Sequence, residues 1–240
     1  MKIIKSLLTA FAIAFTNQVS GQQTDKIETD WQSSIVLLDI TRNNHNFRIP
    51  WDKRAQSVSK FGVVIKDKEL ITTATGLANH TLIRIQKGGR GKWTNGKVLW
   101  IDYQANLAVL GVESDDFWKD LKPVKFAESK KLKDNLQVIR WRGGNIEKRA
   151  AEFSRFTVAD ANFNQAPRIE LKASSEIEGA GQAELMVSGD RVVGLVASKI
   201  SGTCSVIPAT FIMDVIKLRE SNNYNGLGYF DFIWQPASNP

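Results

Sequence analysis

The sequence predicts an all-β protein, a sandwich or a pair of barrels side by side, with one helix near its C-terminal end. Three observations lead there. Short runs rich in Val, Ile, Phe and Trp recur between Ile35 and Ile207. Polar turn formers separate them, the pattern of sandwiches and barrels. A break from Ser114 to Asp134 divides the runs into two groups of about six, and it reads as a crossover between two barrels.

Residues 1–21 come first and stand apart. Lys2 and Lys5 give a positive start, Leu7 to Phe15 is apolar, and Val19-Ser20-Gly21 supplies small residues before Gln22. That is the outline of a secretory signal. The apolar run is too short to cross a bilayer, which takes about 20 residues, so no transmembrane segment is expected in the mature chain. The first group of strands is Ile35 to Ile40, Phe61 to Ile65, Leu70 to Ala74, Leu82 to Gln86, Lys97 to Ile101 and Leu107 to Val112. The second is Leu136 to Trp141, Phe156 to Ala159, Ile169 to Leu171, Ala183 to Val187, Val192 to Ala197 and Ser205 to Ile207. Lys66-Asp67-Lys68, Thr94-Asn95-Gly96 and Ser188-Gly189-Asp190 are the turns. After Pro208, with Thr210 as the expected N-cap, Phe211, Ile212, Val215, Ile216 and Leu218 recur at helical spacing. The chain therefore divides into a signal (1–21), a first barrel (34–113), a crossover (114–134), a second barrel with its helix (135–220) and a Gly- and Asn-rich tail (221–240).

Composition narrows the class. Of 240 residues, 42% are hydrophobic and 24% charged, which excludes a disordered tail, a collagen-like repeat and a multi-pass membrane protein. One cysteine and two histidines exclude a disulfide framework and leave too few ligands for a thiolate or His-rich zinc site. No cofactor or metal is expected. Cys204, in the apolar run Cys204-Ser205-Val206-Ile207, reads as a small core residue. The net charge of +7 leaves room for an anionic partner without requiring one.

A family resemblance is carried by a series of segments in order. Phe61-Gly62-Val63-Val64-Ile65 followed by Leu70-Ile71-Thr72-Thr73-Ala74 resembles the histidine-bearing stretch of the Deg/HtrA-type trypsin-like proteases. Asp102 through Asn106-Leu107-Ala108-Val109-Leu110 resembles the aspartate segment, and Leu121-Lys122-Pro123-Val124-Lys125-Phe126 the crossover. Gly189-Asp190-Arg191-Val192-Val193-Gly194-Leu195 resembles the hairpin after the nucleophile loop, and Ser205-Val206-Ile207-Pro208 with its helix the end of the protease domain. Tyr224-Asn225-Gly226, Gly228, Gln235 and Asn239-Pro240 resemble the approach to a PDZ domain. The resemblance implies two six-stranded antiparallel barrels with the site in the cleft between them.

Acyl transfer by that machinery needs a hydroxyl nucleophile, an imidazole base and an orienting carboxylate. The resemblance puts the histidine position on Thr75, the aspartate position on Asn106 and the serine position on Gly181, or one step on at Gln182. The nearest serines, Ser175 and Ser188, fall outside the turn. His45 and His80 read as loop histidines. The sequence therefore implies a trypsin-like homologue without its triad and not an enzyme, with a polypeptide partner added as a strand in the inter-barrel cleft. Two other readings differ in class. One is an active endopeptidase whose base is His45 or His80. The other is a surface protein that binds an anionic ligand through Arg140, Arg142, Lys148 and Arg149.

The remaining signals read as ordinary structure. Lys87-Gly88-Gly89-Arg90-Gly91-Lys92 lacks P-loop spacing and leads into a strand, so it reads as a hairpin loop. Lys130, Lys131 and Lys133 join the Arg140–Arg149 cations as a solvated face, and no nucleic-acid partner is expected. Trp31, Trp51, Trp93, Trp100, Trp118 and Trp234 read as packing residues.

Overall fold

A computed structural model of the chain describes residues 30–49, 51–66, 68–128, 135–160 and 167–228. The signal segment, Lys130, Lys131, Lys133 and Trp234 lie outside these residues. The first half forms a seven-stranded sheet from β1 (Ile35–His45), β2 (Lys53–Lys66), β3 (Glu69–Thr72), β4 (His80–Lys87), β5 (Trp93–Asn95), β6 (Lys97–Asp102) and β7 (Leu107–Gly111). Its order is β5-β4-β1-β2-β3-β7-β6, with antiparallel pairing throughout. The second half forms a closed antiparallel barrel from β8 (Leu136–Arg142), β9 (Asn145–Asp160), β10 (Pro167–Ser175), β11 (Leu185–Ser188), β12 (Arg191–Ile200) and β13 (Thr203–Pro208). A short helix α1 (Asp115–Trp118) lies in the crossover, and α2 (Ala209–Glu220) follows the second barrel.

The all-β double-barrel expectation holds, with a refinement in the first half. That sheet curls without closing by a ladder. Its two edge strands, β5 and β6, are joined through Gly96, whose N–H donates to Ile83 O at 2.9 Å. A covalent step across one glycine stands where a last strand pairing would close the ring.

Alternation builds both cores. In β1, Val36, Leu38 and Ile40 face an apolar cluster completed by Val64, Leu70, Ile85 and Leu110. In the barrel, Val138, Leu171, Met186, Val196, Val206 and the buried Cys204 form a second. Cys204 is thus the core residue expected, and burial pushes its thiol pKa up. A third cluster joins the halves, placing Ile35, Phe61 and Ile71 against Ile139, Trp141, Leu195 and Ile207. Trp141 is buried in it, and its indole N–H donates to Ile35 O at 2.9 Å. Backbone bonds cross the same junction: Val124 N–H to Val64 O at 2.9 Å and Val192 N–H to Lys125 O at 2.8 Å.

The helix begins two residues earlier than expected. Pro208 occupies the N-cap at φ −65°, and Thr210 lies inside the first turn. Its Ile212 and Val215 are buried in the junction cluster. At its end Arg219 forks onto Glu69 at 2.8 and 3.1 Å, tying α2 to the first sheet. Burial raises the Glu69 carboxyl, but the bonds and charges from Arg219 and Lys66 outweigh it and hold the pKa below the usual range. Arg219→Lys keeps the charge and loses the fork. We expect it to cost about 0.5–1 kcal/mol, read as a lower urea midpoint at unchanged slope.

Candidate functional site

Thr75 and Asn106 sit on two neighbouring turns of the first sheet. After β3 the chain runs Thr73-Ala74-Thr75-Gly76 and closes a turn with Leu77 N–H on Ala74 O at 3.0 Å. Gly76 takes φ +83°, a conformation that glycine adopts without steric cost. Asn106 begins β7's approach in the left-handed region at φ +53°, which asparagine tolerates. Its side-chain Oδ1 accepts from both the N–H and the hydroxyl of Thr75, each at 2.8 Å. The hydroxyl and the amide are therefore committed to each other. The nearby carboxylate, Asp102, faces elsewhere: it accepts from Ala105 N–H at 2.8 Å and from Tyr224 OH at 2.7 Å.

Gly181 lies on the loop before β11, and that loop is filled by its own acid. Glu184 is fully buried, and its Oε2 accepts the N–H of Gly181 and of Gln182 at 2.8 Å each. A backbone nest on this loop thus already holds an anion from the chain itself. Burial raises the Glu184 pKa, against the pull of those N–H groups and of Arg140. The Arg140 guanidinium is 3.8 Å from Oε1. Gly181 takes φ +126°, and a Cβ there would stand 3.0 Å from the Ser198 Cα and 3.3 Å from the Lys199 nitrogen. Those neighbours are backbone atoms, so no side chain fits at 181 without movement. Gln182 O accepts the Phe61 N–H at 2.9 Å and fastens the loop to β2.

Sequence reasoning missed the group that connects these turns. Lys60, the residue before Phe61, is fully buried. Its Nζ donates to Thr73 O and Thr73 Oγ1, each at 2.6 Å, and to Thr75 O. Burial lowers its pKa to about 7, with the charge of Glu184 opposing that shift. The signal was available: Lys60 is in phase with Val64 along β2 and pairs with Leu38, both core residues. Lysine in an inward position of a strand is rare and needs partners.

The other expected residues fall as follows. Arg140 is buried and gives Nε to Glu147 at 2.8 Å and Nη1 to Glu178 O at 2.7 Å. Arg142 and Arg149 point to the same Glu147 at 3.3 and 3.1 Å. The three arginines of this cluster converge on one carboxylate. His80 is exposed at the start of β4, its Nδ1 2.8 Å from Leu77 O. Ser175 donates its hydroxyl to Ala150 O at 2.8 Å. Among the described residues no group of three His, Cys, Asp or Glu is placed to hold a metal.

With this geometry in hand, the chain can be set beside known proteins. No family profile matches it. A chloroplastic protease Do-like 2 of Arabidopsis thaliana is 24% identical over 232 residues, 91% of this chain and 38% of that protein. A serine protease DegP homolog of Plasmodium falciparum is 22% identical over 213 residues, 86% of this chain and 24% of that one. The chain is a relative of the Deg/HtrA-type proteases. Among solved structures, the Rv3671c protease of M. tuberculosis in its active form superposes with a TM-score of 0.61 at 17% identity, covering 82% of this chain and 84% of that one. The HtrA-type protease AlgW with decapeptide gives 0.62 at 13%, covering 80% and 66%. These likenesses establish the trypsin-like fold.

One expectation is corrected by these comparisons. The chain was expected not to be an enzyme, whereas its Deg/HtrA relatives and structural neighbours are named proteases, and those names point to protease activity. That expectation rests on three side chains, Thr75, Asn106 and Gly181, at the positions the resemblance gives to the triad. This Deg/HtrA relative spans about two fifths of the length of the first curated proteins it matches. Chloroplastic and mitochondrial proteins are among them. Among the described residues no helix is long and apolar enough to cross a membrane.

Proposed function

We propose that this chain holds an extended polypeptide in the cleft between its two barrels, with Thr75, Asn106 and Gly181 at the positions of the family's triad. The observation that carries this reading is an open strand edge. β12 pairs with β11 only as far as Leu195, and Val196 exchanges bonds with Ala183 and Glu184. Beyond that point Ser198, Lys199 and Ile200 pair with β13 alone. Their other edge has no strand paired to it, the Gly181 backbone lying beside Ser198 and Lys199, and an extended segment added there needs main-chain hydrogen bonds and no triad. The loop beside it cannot compete, because its Gly181 and Gln182 amides are already bound to Glu184. A neighbour of the same fold, AlgW, carries a decapeptide, which supports a peptide as the class of partner. The same reading takes residues 1–21 as an export signal, so that the mature chain works in the periplasm or outside the cell.

The test is hydrogen exchange on the mature chain with and without peptides from unfolded casein. Binding should slow exchange at Ser198 to Ile200. Failure to bind, or protection confined to other strands, would remove the cleft reading. The same mixture, followed for casein cleavage and for labelling by a serine-reactive fluorophosphonate, measures turnover directly.

A further inference from the structure

The β1–β2 hairpin carries a feature that the cleft does not use. The two strands pair without interruption from Ile35↔Val63 to His45↔Lys53, and a tip of two consecutive turns caps them. Ile49 N–H donates to Asn46 O at 3.1 Å, and Asp52 N–H to Ile49 O at 2.9 Å. Asn46 also accepts the Arg48 N–H through its side chain at 3.0 Å. These bonds hold the two turns, and the large apolar side chains of the tip face outward. Phe47 is 93% exposed, Trp51 83% and Ile49 40%.

Trp51 was expected to pack and does not. Two aromatic rings so fully in water are a cost that a free surface does not need, and large exposed apolar groups mark interaction sites. Residues 46–54 also carry Arg48, Lys53 and Arg54 against the single acid Asp52. That acid is paired with Arg54 at 3.1 Å. The tip is therefore aromatic at its point and cationic around it.

We propose that this tip inserts into the interface of an anionic lipid bilayer. A projecting knob suits a partner that deforms around it. Tryptophan settles at the headgroup level, where its apolar ring and its polar N–H are both satisfied, and phenylalanine adds apolar area that inserts beside it. Arginine and lysine beside them are attracted by anionic headgroups. A folded protein partner would instead have to supply a pocket for each ring.

The experiment is co-sedimentation of the mature chain with phosphatidylcholine vesicles, with and without phosphatidylglycerol. Binding should need phosphatidylglycerol and fall as salt rises. The double variant Phe47→Ser/Trp51→Ser should lose about tenfold or more in partitioning, because the apolar insertion is removed. Its thermal midpoint should stay at the parent value, since neither ring contributes to a core. A parent that ignores both vesicle types overturns the proposal. So does a double variant that binds as well as the parent. Self-association without vesicles, abolished by the same variant, overturns it as well and makes a second copy of the chain the occupant.

Discussion

Glu184→Ala is expected to cost about 3–5 kcal/mol of stability, whereas Glu184→Gln should cost about 1 kcal/mol or less. The contrast follows from what the carboxylate does. Its Oε2 takes two part-buried backbone N–H groups, those of Gly181 and Gln182, while the carboxylate itself is fully buried. Alanine leaves both donors without their acceptor, and each such loss costs about 1–3 kcal/mol. Glutamine keeps an acceptor oxygen in the same place and gives up only the charge. Burial already disfavours that charge, as the raised pKa records. Urea unfolding of the two variants separates the hydrogen bonds from the charge. Equal losses in both would mean that the ion pair with Arg140, and not the amide bonds, holds the loop.

The second large effect belongs to Lys60, and it depends on pH. In the folded chain its pKa is about 7, against a model-peptide value of 10.5. Below pH 7 both states hold the proton, and the folded state bears the full cost of a buried ammonium. Between 7 and 10.5 the folded state releases the proton while the unfolded chain keeps it. The unfolded state then binds more protons, so stability rises with pH, by up to ~1.4 kcal/mol per unit. Lys60→Met removes the titration and orphans the carbonyls of Thr73 and Thr75. At pH 7 we expect it to cost about 2–4 kcal/mol. The gap between parent and variant should widen from pH 7 to 9, read from denaturant midpoints at each pH. A gap that stays constant would show that the native lysine keeps its proton throughout.

Much of the architecture was legible because alternation and turn chemistry agree in most strands. Val36, Leu38 and Ile40, or Val192 and Gly194-Leu195-Val196, signal buried strands without help. β9 is the counterexample. Its first two thirds, Asn145 to Arg155, are mostly polar, so only Phe156 to Ala159 stood out in the sequence, yet the strand runs unbroken to Asp160. It is held by ladders to β8 on one side and β10 on the other, and neighbours override local preference in such positions.

The wiring of the candidate site was not legible in the sequence. Thr75, Asn106 and Gly181 could be named from flanking segments alone. That Asn106 and Thr75 bind each other depends on a contact across 31 positions, and that Glu184 folds back onto the Gly181 amide three residues away depends on the conformation of that loop. Glu184 and Lys60 each sit in an apolar register, where a charge signals a buried partner. Period counting treats such a residue as a flaw in the strand. The Trp51 error has the opposite cause: size and apolarity argue for packing, and only the geometry of the hairpin exposes the ring.

The junction at Lys60-Phe61 has a dynamic consequence. One residue grips the Thr75 turn through its side chain, and the next grips the Gln182 loop through its backbone. The two turns are thus anchored to adjacent residues of a single strand, the Thr75 turn to Lys60 and the Gln182 loop to Phe61. Loops usually exchange with solvent independently and at low free energy, but these two belong to one cooperative unit with β2. Their opening should be rare, joint and close in free energy to unravelling the strand itself.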